Sequence, residues 1–444
     1  MQIDIKTALE EKRMNKFQWF IVGLLAVLYI IDGMDFMIMS YVANSVAADL
    51  TLSATQVGLL ISTGLIGMTV GSIFISPLAD KIGRRNLILG GLVICAISMF
   101  ASSITKGFNE LLVYRFISGL GLGAISTGCM VLASEYSSKI NKGLSVAILS
   151  AAYGAGATLG GILTRYYISD LGWRYTFVAA GVITVVAFVV SLKLLPESVE
   201  YLIFRKPKNA LERLNKLFTK LQMPTVSSIP EMEVVAKESG SFKLLLSSQY
   251  IVQTLLLWFS MFFILFGFYF VLGFTPKIIA ASGLSNEQSI QIGMMVSLGS
   301  IVGSVILGLL TTKIGLFKSL MSFLLLSAAS MIGFVALSSM TLFMVVFAVA
   351  LGMFAAGSLA GAYSTTLNIY DVNVRSTGLG VATGIGRFGG IASPIIAGYL
   401  LDQGIPALSL YGYFTFIFIF AAVAIFILYG ITKRKQQALD LKTA

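Results

Sequence analysis

The chain contains no histidine, and its 444 residues include only two cysteines and eight prolines. Without imidazole there is no His general base, no His proton relay and no His metal ligand. Cys95 and Cys129 both sit inside apolar stretches, so neither a disulfide framework nor a thiolate metal site is implied. Charge is also scarce. Asp, Glu, Lys and Arg make up 11% of the residues, against about 25% in an ordinary soluble domain. No Gly-rich run ending in Lys is present to cradle a nucleotide, and the one long polar stretch, 196–248, is too short for a soluble catalytic or signalling domain. An integral-membrane enzyme would need a nucleophile, metal ligands or a phosphate loop, and none is found. No enzyme activity and no cofactor are expected.

What fills the chain instead is apolar sequence: 57% hydrophobic residues and a mean hydropathy of +0.90. It falls into twelve blocks, at 17–42, 54–76, 86–105, 108–134, 143–167, 174–195, 249–273, 287–311, 318–338, 341–367, 376–401 and 408–431. A span needs roughly 20 mostly apolar residues to cross the bilayer. In lipid each span must satisfy its own backbone hydrogen bonds, so each block is expected to be a helix. The period-two alternation of a membrane barrel is missing. The first block is too long for a signal h-region and no small-residue cleavage site follows it, so it reads as a span.

Basic residues set the orientation. With an even number of spans both termini share one side, and 25 of the 31 Lys and Arg residues lie on that side. These include Lys6, Lys12, Arg13 and Lys16 at the start, Lys81, Arg84 and Arg85 after the second block, and Lys237 with eight others in the middle segment. The positive-inside rule places both termini in the cytoplasm. The net charge of +11 therefore reflects topology and gives no reason to invoke nucleic acid. An inner (cytoplasmic) membrane location and a monomer are expected.

The blocks divide into two halves, 1–195 and 249–444, joined by the linker 196–248. Leucines at 211, 214, 217 and 221 within the linker have helical spacing beside Arg205, Lys206 and Lys208, which predicts a basic amphipathic helix at the cytoplasmic surface. The halves echo each other. Leu78-Ala-Asp-Lys-Ile-Gly83 is repeated as Leu310-Thr-Thr-Lys-Ile-Gly315, and Gly154-Ala-Gly-Ala-Thr-Leu-Gly-Gly161 is matched by Gly384-Ile-Gly-Arg-Phe-Gly-Gly390. Small residues at such density, 44 glycines in all, let membrane helices approach closely.

These motifs carry a resemblance. Ser76-Pro-Leu-Ala-Asp-Lys-Ile-Gly-Arg-Arg85 resembles the loop signature between the second and third helices of the major facilitator superfamily, with serine for the usual first glycine. Arg115-Phe-Ile-Ser-Gly-Leu-Gly-Leu-Gly123 resembles that family's fourth-helix signature, and Trp173-Arg174 and Pro196-Glu-Ser198 are also family-like. The resemblance covers essentially the whole chain. It implies an all-α membrane protein with the major facilitator fold, twelve transmembrane helices in two six-helix halves. It also implies that Asp80, Arg84, Arg85, Glu135, Glu197 and Arg375 form a latch closing the cytoplasmic side. The second copy of the loop departs, with Thr312 where an acid is usual. Asp32-Gly-Met-Asp35 in the first block, together with the motif around Arg387, resembles the aromatic acid:H+ symporter family; the usual Trp-x-Pro after the seventh block reads Phe274-Thr-Pro276 here. That resemblance implies import of a benzoate-like carboxylate with protons.

Charge counting points the same way. A charge near the bilayer centre costs at least about 2.5 kcal/mol, so it persists with a partner or a function. Asp32, Asp35, Arg115 and Arg387 lie well inside blocks, and their charges sum to zero. An arriving organic anion leaves the site negative, and protonating one aspartate restores neutrality. The expected roles are Arg387 as the carboxylate fork, Asp32 and Asp35 as the proton site, and Arg115 tuning them from the fourth block. A structural ion pair between Arg115 and an aspartate is the competing reading. Tyr269, Tyr363 and Phe388 are the aromatic candidates for substrate contact. Transport of an aliphatic acid or a sugar, or proton-driven efflux of drugs or metabolites, remain the alternatives. Efflux relatives of this fold carry a proline-containing glycine motif in the fifth helix, and Gly156-Ala-Thr-Leu-Gly-Gly161 has none.

Overall fold

The computed structural model describes residues 13–229, 242–338 and 340–443. Lys6, Lys12 and Lys237, counted above among the basic residues of one side, lie outside the described residues. Twelve described helices are long and apolar enough to cross a membrane. They are α1 (Lys16–Asp49), α2 (Ala54–Ile82), α3 (Arg84–Ser103), α4 (Phe108–Tyr136), α5 (Lys142–Ile168), α6 (Trp173–Leu194), α7 (Ile251–Ala281), α8 (Asn286–Ile314), α9 (Leu316–Ala336), α10 (Thr341–Ile369), α11 (Val372–Asp402) and α12 (Ser409–Thr443). Among the described residues no strand is present.

Two helices are not regular throughout. α2 passes through a π-helical turn at Gly71–Ile75 and a 3-10 turn at Ser76–Leu78, where Pro77 supplies no donor. α7 has a π-helical turn at Phe270–Phe274, just before Pro276.

The helices group into two compact units, Met1–Ile38 with Thr63–Val235 and Met39–Ser62 with Ala236–Ala444. The boundary thus crosses α1 and α2, and does not fall in the linker alone. In the first unit, α6 shows the pattern lipid demands: Thr184 and Ser191 are fully buried while Val182, Val186 and Val189 are exposed. Helix crossings rest on glycine. Gly33 of α1 meets the Tyr153 carbonyl of α5 and Gly156 meets the Ile30 carbonyl, with no room for a Cβ on either. Gly67 of α2 meets the backbone of α4 in the same way; in the second unit Gly299 and Gly303 of α8 do so against α10. The repeated loop motif also folds alike in both copies, Gly83 at φ 96°, ψ 152° and Gly315 at φ 86°, ψ 156°. Both dihedral pairs lie where only glycine is comfortable.

The linker contains the predicted amphipathic helix, Ala210–Lys220. Its apolar stripe is covered by protein, not lipid. Leu214, Leu217, Phe218 and Leu221 belong to one buried cluster with Tyr136, Leu195 and Leu202, and Phe17 packs against it. Asn15 donates to the Lys220 carbonyl at 3.0 Å, and Lys220 stands over the Phe17 ring. The Asn215 side chain holds both the N–H and the carbonyl of Val226 at 2.9 Å. This helix is part of the first unit.

Candidate functional site

Asp32 and Asp35 are three residues apart on α1, one turn, and both are buried. Gly33 between them lets α5 pass at backbone distance. Arg115 and Ser118 have the same i, i+3 relation on α4, which aims both at α1. Arg115 Nη1 lies 2.5 Å from Asp35 Oδ1, and Nη2 donates to the Asp35 carbonyl at 3.2 Å. The Ser118 hydroxyl donates to Oδ2 of the same carboxylate. Both carboxylate oxygens of Asp35 are therefore held, each by a donor from α4. Taking two charges out of water is costly, and the bonds from Arg115 and Ser118 to Asp35 offset part of that cost. Arg115 is thus ion-paired with Asp35. Asp32, one turn earlier, lies within electrostatic reach of Cys129.

The substrate candidates lie in the second unit. Gly386, Gly389 and Gly390 of α11 face α7, where Gly390 lies under the Tyr269 ring. Arg387 projects from the other side of α11, the side on which Gly380 and Gly384 have open space. Tyr363 of α10 lies within electrostatic reach of Arg387. Arg387, Tyr363 and, across Gly390, Tyr269 are thus drawn around one stretch of α11. Phe388 is 66% exposed and turned away from α7. Tyr269 is the last residue before the π-helical turn, which re-aims the helix beyond it.

The expected latch residues separate into two groups. Arg84 bridges Asp80 at 3.2 Å and Glu135 at 3.3 Å. Arg85 donates to the carbonyls of Leu195 and Leu192, at 2.8 and 2.6 Å, which places a cation on the C-terminus of α6. Glu197 accepts from the N–H groups of Arg85 and Ser198 and fills the space that a Cβ on Gly83 would need. Asp80, Arg84, Arg85, Glu135 and Glu197 therefore assemble in the first unit. Arg375 lies in the second, where it donates to the Tyr370 carbonyl at 3.2 Å. There a different arrangement occupies the ends of α7 and α11. Tyr250 donates to Asp371, and Tyr370 donates to Thr254 at 3.0 Å. Burial and the Asp371 carboxylate push the Tyr250 phenol up to about 12.

Sequence reasoning missed Ser118, Tyr250 and Asp371. Ser118 had a local signal, its helical spacing from Arg115. The others act across long separations and had none.

The model of the Major Facilitator Superfamily matches residues 25–318 and 257–443. The niacin transporter NiaP of Acinetobacter baylyi is 27% identical over 428 residues, covering 96% of this chain and 97% of that protein. A gallate transporter of Pseudomonas putida is 28% identical, covering 91% and 90%. The 4-hydroxybenzoate transporter PcaK of Pseudomonas aeruginosa is 29% identical over 410 residues, covering 91% and 90%. Among solved structures, the xylose transporter XylE of E. coli in a partially occluded inward-open conformation superposes with a TM-score of 0.73 at 18% identity. The overlap covers 93% of this chain and 98% of that one, a likeness of fold. Twelve apolar helices, the repeated loop and the family match converge: the chain is a multi-pass membrane protein of the Major Facilitator Superfamily, a family of transporters and not of enzymes.

Proposed function

We propose that this protein is a proton-coupled symporter that imports an aromatic carboxylate across the inner membrane by alternating access. The observation that carries the reading is the buried Asp35–Arg115 pair on the Asp32-Gly-Met-Asp35 turn. It supplies ionisable groups at membrane depth, where they persist only with a partner or a role. Relatives whose names specify gallate, 4-hydroxybenzoate and niacin all take a ring bearing a carboxylate.

In this reading Arg387 holds the substrate carboxylate in a bidentate fork, and Tyr363, Tyr269 and Phe388 offer ring and hydroxyl contacts. Asp32 and Asp35 exchange the proton, with Arg115 tuning them from α4. A proton entering with each anion keeps the buried charge at zero. Asp80, Arg84, Arg85, Glu135, Glu197 and Arg375 act in closing the cytoplasmic side, and the protein works as a monomer. Both termini are cytoplasmic, which puts the basic loops inside.

Uptake of radiolabelled aromatic and aliphatic carboxylates into proteoliposomes, with and without an inward proton gradient, tests this. Accumulation of an aromatic acid driven by the gradient is expected. Accumulation of aliphatic acids alone would remove the aromatic assignment. No uptake of any acid by folded protein would overturn import of an anion.

A further inference from the structure

The first turn of α2 is capped from a residue 347 positions away. Four N–H groups at a helix N-terminus need acceptors from outside the helix ladder. Ser53 supplies one, its hydroxyl accepting from Gln56 N at 3.2 Å, while Gln56 returns a bond to Ser53 N in a capping box. Asp402, the last residue of α11, supplies two more. Its Oδ1 accepts from Ala54 N and its Oδ2 from Thr55 N, both at 2.8 Å, and the Thr55 hydroxyl donates to Oδ2 at 2.5 Å.

Below this cap the two helices run backbone to backbone. Gly398 meets the Ala54 carbonyl and Gly58 meets the Pro394 carbonyl with no room for a Cβ on either, and the Ser62 hydroxyl donates to the Ile391 carbonyl at 2.7 Å. Positions 54, 58 and 62 thus form one face of α2, mated to 398, 394 and 391 of α11. The seam stops where the chain changes unit: residues up to Ser62 group with α11, and those from Thr63 onward with the other unit.

We propose that Asp402 is a positioning residue, a releasable clasp that holds the first turns of α2 against α11 and must let go in each transport cycle. The clasp rests on the alternating-access reading above, and lies on the external side under the orientation given there. Three features make it releasable. Asp402 is exposed, so water can replace it at the N–H groups. The seam beneath is made by close backbone contacts, Gly58 and Gly398 each facing a carbonyl, with a single serine hydroxyl bond across it. And α2 is bound by its far end to a different unit from the one that clasps its start, so any displacement between units loads this contact first.

The test reads accessibility, not transport, so it stands or falls independently of the substrate. Ser62→Cys, placed on the buried seam in a Cys95→Ala/Cys129→Ala background, is labelled with a membrane-impermeant maleimide in oriented proteoliposomes. Adding Asp402→Ala is expected to speed labelling about fivefold, the factor that loss of one cap carries. Asp402→Asn, which keeps one acceptor, should fall between. Thr55→Val removes a single bond and should give a smaller increase in the same direction; it carries the test if Asp402→Ala does not fold. Labelling that is unchanged or slower in folded Asp402→Ala or Thr55→Val protein overturns the clasp.

Discussion

Arg115 and Asp35 are 80 residues apart in sequence, yet their side chains meet at 2.5 Å with almost no exposure to solvent. The Asp35 carboxylate is surrounded by donors from α4. The second oxygen of Asp35 takes the Ser118 hydroxyl, and its carbonyl takes the other guanidinium nitrogen.

Removing one partner should therefore cost more than removing both. Asp35→Ala or Arg115→Ala leaves an uncompensated buried charge, a loss of about 3–5 kcal/mol. The double variant Asp35→Ala/Arg115→Ala should recover part of that loss while remaining unable to accumulate substrate. Thermal melts in detergent beside proteoliposome uptake check both halves. Equal melting losses in single and double variants would show that the pair is not coupled.

At Arg387 the expected effect is on binding and not on stability, because the side chain stands on the open side of α11. Arg387→Lys keeps the charge but loses the fork, and the KM for a carboxylate should rise about tenfold. Arg387→Gln should abolish saturable uptake. Both variants should melt within a few degrees of the parent protein, and a large drop in Tm would assign Arg387 a structural role.

The glycine crossings provide a comparison with a built-in control. Gly33→Ala, Gly67→Ala and Gly299→Ala each push a methyl into a facing carbonyl, whereas Gly90→Ala and Gly412→Ala meet nothing within 4 Å. The first three should lose yield and stability by roughly 1–3 kcal/mol through overpacking. The last two should be neutral or slightly stabilising, as Ala is favoured over Gly in a helix. Expression-normalised melting temperatures decide it.

Tyr250 sets an alkaline limit. Its phenol is raised from 10.0 to about 12 in the folded state, so the proton is held more tightly folded than unfolded. The stabilisation is complete below pH 10 and is lost as pH rises from about 10 to 12. Tyr250→Phe should lower stability at neutral pH and flatten the fall across that window. A parallel fall in both proteins would remove Tyr250 as its source.

The sequence made the spans legible because membrane helices are specified locally: an apolar block at 174–195 becomes α6 at Trp173–Leu194 with little else to decide. Likewise the echo of Gly83 in Gly315 was visible, since a left-handed turn needs glycine wherever it occurs. Residue types at the site were also legible, as charges at membrane depth stand out. Their pairing was not. Nothing in the chain says whether Arg115 reaches Asp32 or Asp35, because one turn of α1 separates them and the choice depends on how α4 crosses. The linker helix shows the same boundary. Its leucine spacing predicted an apolar stripe, and the identity of what covers that stripe depended on Phe17 and Tyr136 from distant segments and on Leu202 from earlier in the linker. Asp402 gave no signal at all, since a carboxylate at a helix C-terminus reads as an ordinary loop charge until its partner appears.

The docking of the Ala210–Lys220 helix also decides where the polypeptide can be divided. Severing it after Leu195 would strip the N-terminal fragment of its cover and expose Leu202, Leu214 and Phe218 to water. Severing it beyond Val226, whose backbone the Asn215 side chain secures, leaves that cover attached. Two co-expressed fragments meeting beyond that point should reassemble, whereas fragments meeting at the last residue of the sixth span should aggregate.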